Sequence, residues 1–358
     1  MPNTEPLTDS ESLEAGRLAA VAYHHIPLVK FEPHEHQGMG NSYTFVAKYG
    51  DDTEAIIQLR DRPIDIAIVH LARTLLGDIV PNLVSLKATK TSYAYGQPKI
   101  PGDRWDPMTY LTVEDDTAVS VQFANILARC RLHLGSGTVV DDYVIPCMNS
   151  IINAVSAENE PFNYMPKDLV NAYLKRLTAL RDRANHLRLL DLMLCHTDPN
   201  PFNVSHIFPS PLPLAQPLTP FILYQVIIDE SFSPPKIVGL IDWEEAKFLP
   251  FGMNSSEIRM IAVLNIGGYD QVSEAAKSVA VAFWNTLVAG ITDDHKSIVL
   301  DSMEIGYVIR YLDGFDGLEV SRAKREVEVY IERMNWFEET FRPLCLVSSL
   351  DGTKADPQ

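Results

Sequence analysis

Two short polar motifs, each closing a β-prone stretch, limit this chain more than any other feature. The first is His196-Thr197-Asp198-Pro199-Asn200-Pro201-Phe202-Asn203, between the stretches Leu192 to Cys195 and Val204 to Phe208. The second is Gly239-Leu240-Ile241-Asp242-Trp243-Glu244, which ends the stretch Ile237 to Ile241. Pro199 and Pro201 restrict the backbone of the first loop, so Asp198 and Asn203, five residues apart, can both face one cleft. Asp242 leaves a strand end and can reach the same place. Between the motifs lies PSPLPLAQPLTP, Pro209 to Pro220, which no regular element can accommodate. A fold for this chain must therefore carry that loop and still return the second strand end to the first.

The flanking patterns predict an α+β chain. In the N-terminal third, Ser10 to Ala22 has a helical apolar period with Asp9 as its expected cap. Ser42 to Tyr49 and Glu54 to Arg60 alternate around Gly50-Asp51-Asp52, a hairpin pattern. Ile64 to Leu76 reads as a helix ended by Gly77. The break Gln97-Pro98-Lys99-Ile100-Pro101-Gly102 divides the chain into a β-rich lobe over residues 1–100 and a larger, mainly helical lobe over 101–350, with 351–358 as a loose tail. In the second lobe Ala118 to Leu132, Tyr143 to Ala157, Lys167 to Leu190, Ser255 to Leu264, Val272 to Val288, Ser302 to Leu312 and Glu319 to Thr340 carry helical spacing, and Phe221 to Ile228 adds a strand. The stripe Val320, Ala323, Val327, Tyr330, Met334 and Phe337 is read as core packing.

Charge narrows the function. With 30 Lys and Arg against 47 Asp and Glu, the net charge is −17, which disfavours nucleic acid and anionic membrane as partners. Cys130, Cys147, Cys195 and Cys345 are scattered with no Cys-x-x-Cys pair, a pattern expected of reduced, mostly buried thiols. The acidic N-terminus MPNTEPLTDSESLE is unlike a leader, and Val279 to Ile291 is too short an apolar run to span a bilayer, so a cytoplasmic protein is expected. His24, His25, His34 and His36 are read as solvated rather than as a metal site. Glu114-Asp115-Asp116 and Asp141-Asp142 are read as acids favoured at helix starts.

The two motifs together offer two carboxylates and an amide oxygen. A carboxylate with an amide oxygen suits Mg²⁺, which binds through few protein oxygens and substrate phosphates. The remaining carboxylate can accept a proton from a hydroxyl nucleophile, and these are the recurring parts of a kinase-type phosphoryl transfer site. There is no Gly-Lys-Ser/Thr phosphate loop, no complete G-x-G-x-x-G, no G-x-S-x-G and no H-E-x-x-H. The turn Gly38-Met39-Gly40-Asn41-Ser42 stands where a phosphate-covering loop would lie, with Gly38 and Gly40 as candidate backbone contacts.

The pattern His-x-Asp-x(4)-Asn followed by Ile-Asp-Trp-Glu resembles the aminoglycoside phosphotransferase/choline kinase superfamily. Further stretches, Ala55 to Arg60, Leu76 to Pro81, Ile100-Pro101-Gly102, Leu249 to Gly252 and Gly306 to Tyr311, are similar to fungal members of it. The resemblance implies a protein-kinase-like two-lobed fold and transfer of the ATP γ-phosphate, with Mg²⁺, to a hydroxyl or amine of a small-molecule acceptor, hydroxylated or cationic. It makes Asp198 the catalytic base, Asn203 and Asp242 the Mg²⁺ ligands, and His196 a residue that organises the loop.

The sequence also departs from the family's pattern. Thr197 stands where the family commonly has Gly. The strand Lys that holds phosphates in kinases falls on Gln58 or Arg60; Arg60 could bind phosphate, whereas Gln58 could not neutralise it. The following helix offers Asp65 near its start and no internal Glu. Tyr93 to Pro98 is the expected adenine hinge, and Glu244 or Glu245 a candidate lining of the acceptor pocket. These departures motivate an alternative, a kinase-fold protein that binds a metabolite or partner, or serves another biosynthetic step, without transferring phosphate.

Overall fold

The N-terminal helix starts with a reciprocal cap. Thr8 Oγ1 accepts from Glu11 N at 3.4 Å while Glu11 Oε2 accepts from Thr8 N at 2.9 Å. The cap is therefore Thr8 rather than Asp9, because only Thr8 has an acid at the third helical position to return the bond. The computed structural model describes residues 8–34, 42–86, 92–105, 111–157, 162–196, 223–254, 264–266, 269–271, 274–312, 331 and 334–351.

Helix α1 (Asp9–Tyr23) presents Ser12, Gly16, Ala19 and Ala20 to a five-stranded sheet. Small residues are required there: a Cβ on Gly16 would lie 2.7 Å from the Phe45 ring. The sheet is built of β1 (Leu28–Pro33), β2 (Tyr43–Tyr49), β3 (Glu54–Arg60), β4 (Val84–Leu86) and β5 (Tyr93–Pro98), in the order β1-β2-β3-β5-β4 with every pair antiparallel. Strand alternation divides β3. Ala55, Ile57 and Leu59 are buried with Phe45, Ala47 and Tyr49 in the core against α1, so Gln58 and Arg60 stand on the opposite face. Helix α2 (Ile66–Leu76) begins behind Asp65 and stops at Gly77, whose φ of 77° ends it. Its Val69, Ala72 and Leu76 join the large core of the rest of the chain, so α2 ties the sheet to the second lobe.

Among the described residues the second lobe holds two three-stranded sheets and one strand pair among helices. β6 (Asp103–Trp105), β9 (Leu223–Asp229) and β10 (Lys236–Leu240) form one, in the order β10-β9-β6. β7 (Arg131–Gly135), β8 (Asp191–Cys195) and β11 (Lys247–Pro250) form the other, in the order β11-β8-β7. Among the described residues the longer helices are α3 (Val113–Arg129), α4 (Ile145–Ser156), α5 (Lys167–Arg183), α6 (Glu274–Leu287), α7 (Asp293–Leu312) and α8 (Arg342–Asp351). A π-helical turn, Val140–Val144, leads into α4, and a 3₁₀ stretch, Ala184–Leu189, comes after α5. The chain thus has a β-sheet N-terminal lobe and a larger helical one, the two-lobed α+β fold expected.

Several details differ from the sequence reading. Asp116 stands in the first turn of α3 as expected, but it is also buried and accepts from Trp105 Nε1 at 3.2 Å, giving the indole of β6 its partner. Leu264 ends no helix but begins β12 (Leu264–Ile266), paired with β13 (Tyr269–Gln271). The expected strand at Val204 to Phe208 and residues 255–263 lie outside the described residues, as do Val320, Ala323, Val327 and Tyr330. Met334 and Phe337, from the same stripe, are core residues. All four cysteines are free thiols, three of them buried, and among the described residues no helix is long and apolar enough to cross a membrane.

Helix α7 anchors the C-terminal helices through charge. Its fully buried Glu304 accepts from Arg176 of α5 at 2.9 and 3.1 Å and from Arg342 of α8 at 3.1 Å. Arg342 also reaches Asp301 at 2.8 Å. Burial pushes the Glu304 carboxyl up while the two guanidinium groups oppose the shift. α7 also touches the turn after β11, at a glycine: a Cβ on Gly306 would lie 1.9 Å from the carbonyl oxygen of Met253. Gly306→Ala is expected to cost about 3 kcal/mol or more, because neither backbone can give way. A urea unfolding curve measures it.

Candidate active site

Two strand ends from different sheets are joined by one histidine. His196 comes directly after β8, and its Nε2–H donates to the carbonyl oxygen of Ile241 at 2.7 Å, just past β10. Its ring meets Trp243 edge-on, with centroids 4.9 Å apart and planes at 74°. Trp243 is itself buried, and its Nε1 donates to Leu240 at 3.2 Å. Between Ile241 and Trp243, Asp242 adopts the left-handed conformation, φ 65° and ψ 46°. Asp tolerates that region better than most residues, and the neighbours on both sides are pinned. The turn Trp243–Glu245 then leads into β11.

This turn faces the N-terminal sheet across a small pocket. Gln58 of β3, Gln97 of β5, Val69 of α2, the segment Val80, Pro81 and Leu83, and Asp242, Trp243 and Glu244 line one pocket. Gln58 and Gln97 are both buried. Gln58 and Asp242, found in separate stretches of sequence, therefore share a site. Arg60, two residues on from Gln58 along β3, forms an ion pair with Glu244 through its Nη2, the two side chains being 26% and 14% exposed.

Glu244 turns toward β3 and pairs with Arg60. Asp65, the acid near the start of the helix after β3, is the cap of α2, its carboxylate accepting from Ala67 N at 3.0 Å. Tyr93–Pro98, the expected hinge, is a strand paired with β3 along its length and with β4 over residues 94–96. Asp198, Asn203, Gly38 and Gly40 lie outside the described residues. Gln97 and the Arg60–Glu244 pair were not read from the sequence. The only signal was that Arg60 shares a β3 face with Gln58 and that Glu244 stands two residues after Asp242.

The His24 ring accepts from Ile26 N at 3.2 Å and stacks on His25, with centroids 4.9 Å apart. Among the described residues no cluster of three potential metal ligands is present. Cys195, directly before His196, is fully buried, and burial holds its thiol well above the ordinary value, so it packs as a neutral group.

No protein-family model matches the sequence, and no curated protein matches it. Solved structures do match in fold. The GDP and kanamycin complex of APH(2")-IIia superposes with a TM-score of 0.55 at 11% identity, covering 91% of this chain and 99% of the other. Choline kinase from Cryptosporidium parvum Iowa II matches with a TM-score of 0.53 at 11% identity over 89% of this chain and 92% of the other. The GDP complex of aminoglycoside 2'-phosphotransferase-IIIa gives 0.52 at 11% identity over 88% and 94%.

His196→Ala removes both the bond to Ile241 and the ring against Trp243. A loss of about 2 kcal/mol in unfolding free energy is expected, the cost of a buried carbonyl left without its donor. Chemical denaturation checks it.

Proposed function

From a chain with the fold shared by aminoglycoside phosphotransferases and choline kinases, we propose an Mg²⁺-dependent transfer of the ATP γ-phosphate to a hydroxyl or amine of a small molecule. The observation that carries this reading is Asp242: a carboxylate at a strand end, on a turn held by His196 and Trp243, in one pocket with the β3 residue Gln58.

The donor set fits magnesium. With Glu244 paired to Arg60, the pocket offers the carboxylate of Asp242 and the amide oxygens of Gln58 and Gln97, hard oxygen donors with no thiolate among them. The His196 Nε2–H is committed to Ile241, which keeps that nitrogen from acting as a ligand. Asp242 with Asn203 would hold the ion. When bound, Mg²⁺ neutralises charge on the β- and γ-phosphates.

The chain's own residues do the rest. Arg60 meets phosphate oxygens, and Gln58 contributes an uncharged contact beside it. The backbone around Gly38 and Gly40 covers the phosphates. Asp198 accepts the proton of the acceptor hydroxyl as its oxygen bonds the γ-phosphorus, while the bond from that phosphorus to the bridging oxygen breaks and ADP leaves. The acceptor enters between the catalytic loop and the C-terminal helices. The net charge of −17 is compatible with a cationic acceptor.

Melting curves with and without Mg²⁺-ATP test the reading. A nucleotide concentration of about 100 Kd stabilises the folded state by about 2.7 kcal/mol. Asp242→Asn is expected to abolish that gain without unfolding the protein, since Asn also tolerates the left-handed conformation. A well-folded wild-type protein that no nucleotide stabilises would instead favour a kinase fold put to metabolite or partner binding. Asp198→Asn is expected to keep nucleotide binding and to slow transfer by about 10²–10⁴-fold, as loss of a general base does. Near-normal transfer in that variant rejects Asp198 as the base.

A further inference from the structure

Kinase sites pair the phosphate-holding strand cation with an acid on the next helix. In this chain that helix, α2, reads IAIVHLARTLL and carries no acid at all, while Asp65 is spent on its cap. The β3 cation nevertheless has a carboxylate partner. Arg60 Nη2 meets Glu244 Oε1, and Glu244 stands two residues after Asp242 on the same short turn.

We infer that Glu244 is a positioning residue, moved from the helix to the metal turn, which aims Arg60 at the nucleotide phosphates and couples the phosphate grip to Asp242. This rests on the phosphotransferase reading above. Three arguments support it. An arginine side chain has many rotamers, and a fixed partner removes that freedom before phosphate arrives, so less is lost on binding. Both side chains are partly buried, at 26% and 14% exposure, so water and salt screen them less than a surface pair. Glu244 lines the same pocket as Gln58 and Asp242, where an unneutralised carboxylate would repel a triphosphate; Arg60 cancels that charge.

The arrangement also differs in kind from a helix-borne acid. A helix can swing away and release the strand cation without touching the metal ligand. Here Glu244 and Asp242 share one turn, pinned by Trp243 between them. Displacing that turn disturbs the phosphate contact and the metal ligand together.

The experiment is a double-mutant cycle on the full chain with Glu244→Gln, Arg60→Gln and the pair of substitutions together. Mg²⁺-ATP affinity is read by calorimetry, and the melting temperature without ligand is read beside it. Each single substitution is expected to weaken Mg²⁺-ATP about tenfold or more, as loss of a charge-assisted contact does. The double variant is expected to bind no more weakly than the weaker single variant, because Glu244 acts through Arg60. Arg60→Lys, which keeps the cation and its partner, is expected to stay closer to wild type than Arg60→Gln.

Affinity of Glu244→Gln within about twofold of wild type, or losses that multiply in the double variant, overturns the inference. So does a fall in ligand-free melting temperature with unchanged affinity, the signature of a purely structural tie. A wild-type protein that binds no Mg²⁺-ATP fails earlier in the scheme and rejects the phosphotransferase reading itself.

Discussion

The hydrogen bond from His196 to the Ile241 carbonyl holds the site together. β8 and β10 belong to different three-stranded sheets, so no ladder pairs them. The imidazole spans the gap at 2.7 Å, and Trp243 closes against its ring. Because the bond goes to a backbone oxygen, it fixes the path of the chain into Asp242 and not merely one side chain. The left-handed residue is sustained by this local over-determination: Ile241 is held before it, and Trp243 is buried after it.

The N-terminal sheet is attached to that turn in two ways. α2 packs Val69, Ala72 and Leu76 into the main core, an apolar contact that sets the spacing of the lobes. Arg60 and Glu244 then supply a directional contact from β3 to the turn. The pocket containing Gln58, Gln97, Asp242 and Glu244 is the space left between them. In the other lobe, Glu304 with Arg176 and Arg342 ties α5, α7 and α8, and Gly306 lets α7 approach the Met253 turn closely, bracing the strand that comes after the candidate metal turn.

Local patterns are readable in proportion to how far they depend on neighbours in sequence. The β3 span Glu54–Arg60 and its alternating faces come from the hairpin turn and side-chain period, and the structure has the same span. The end of α2 at Gly77 comes from glycine's freedom at positive φ. The cap of α1 lies one residue before the one expected, since a capping box depends on the acid three positions on as well as on the cap itself. Asp116 and Asp65 carry the same lesson. Both are acids at helix starts, but one is buried under Trp105 and the other spent on a cap, and sequence position does not distinguish them.

By itself the sequence determined the fold class, the order of the two motifs and the chemistry that Asp198, Asn203 and Asp242 can support, because periodicity, turn residues and functional groups are local properties. Tertiary structure alone decided which distant side chains meet among the described residues. Arg60 and Glu244 are 184 positions apart, and their places beside Gln58 and Asp242 do not by themselves pair them. An ion pair of that kind exists only when two lobes close to within the length of two side chains. Strand register and core packing set that distance, and neither is written in any single stretch of the chain.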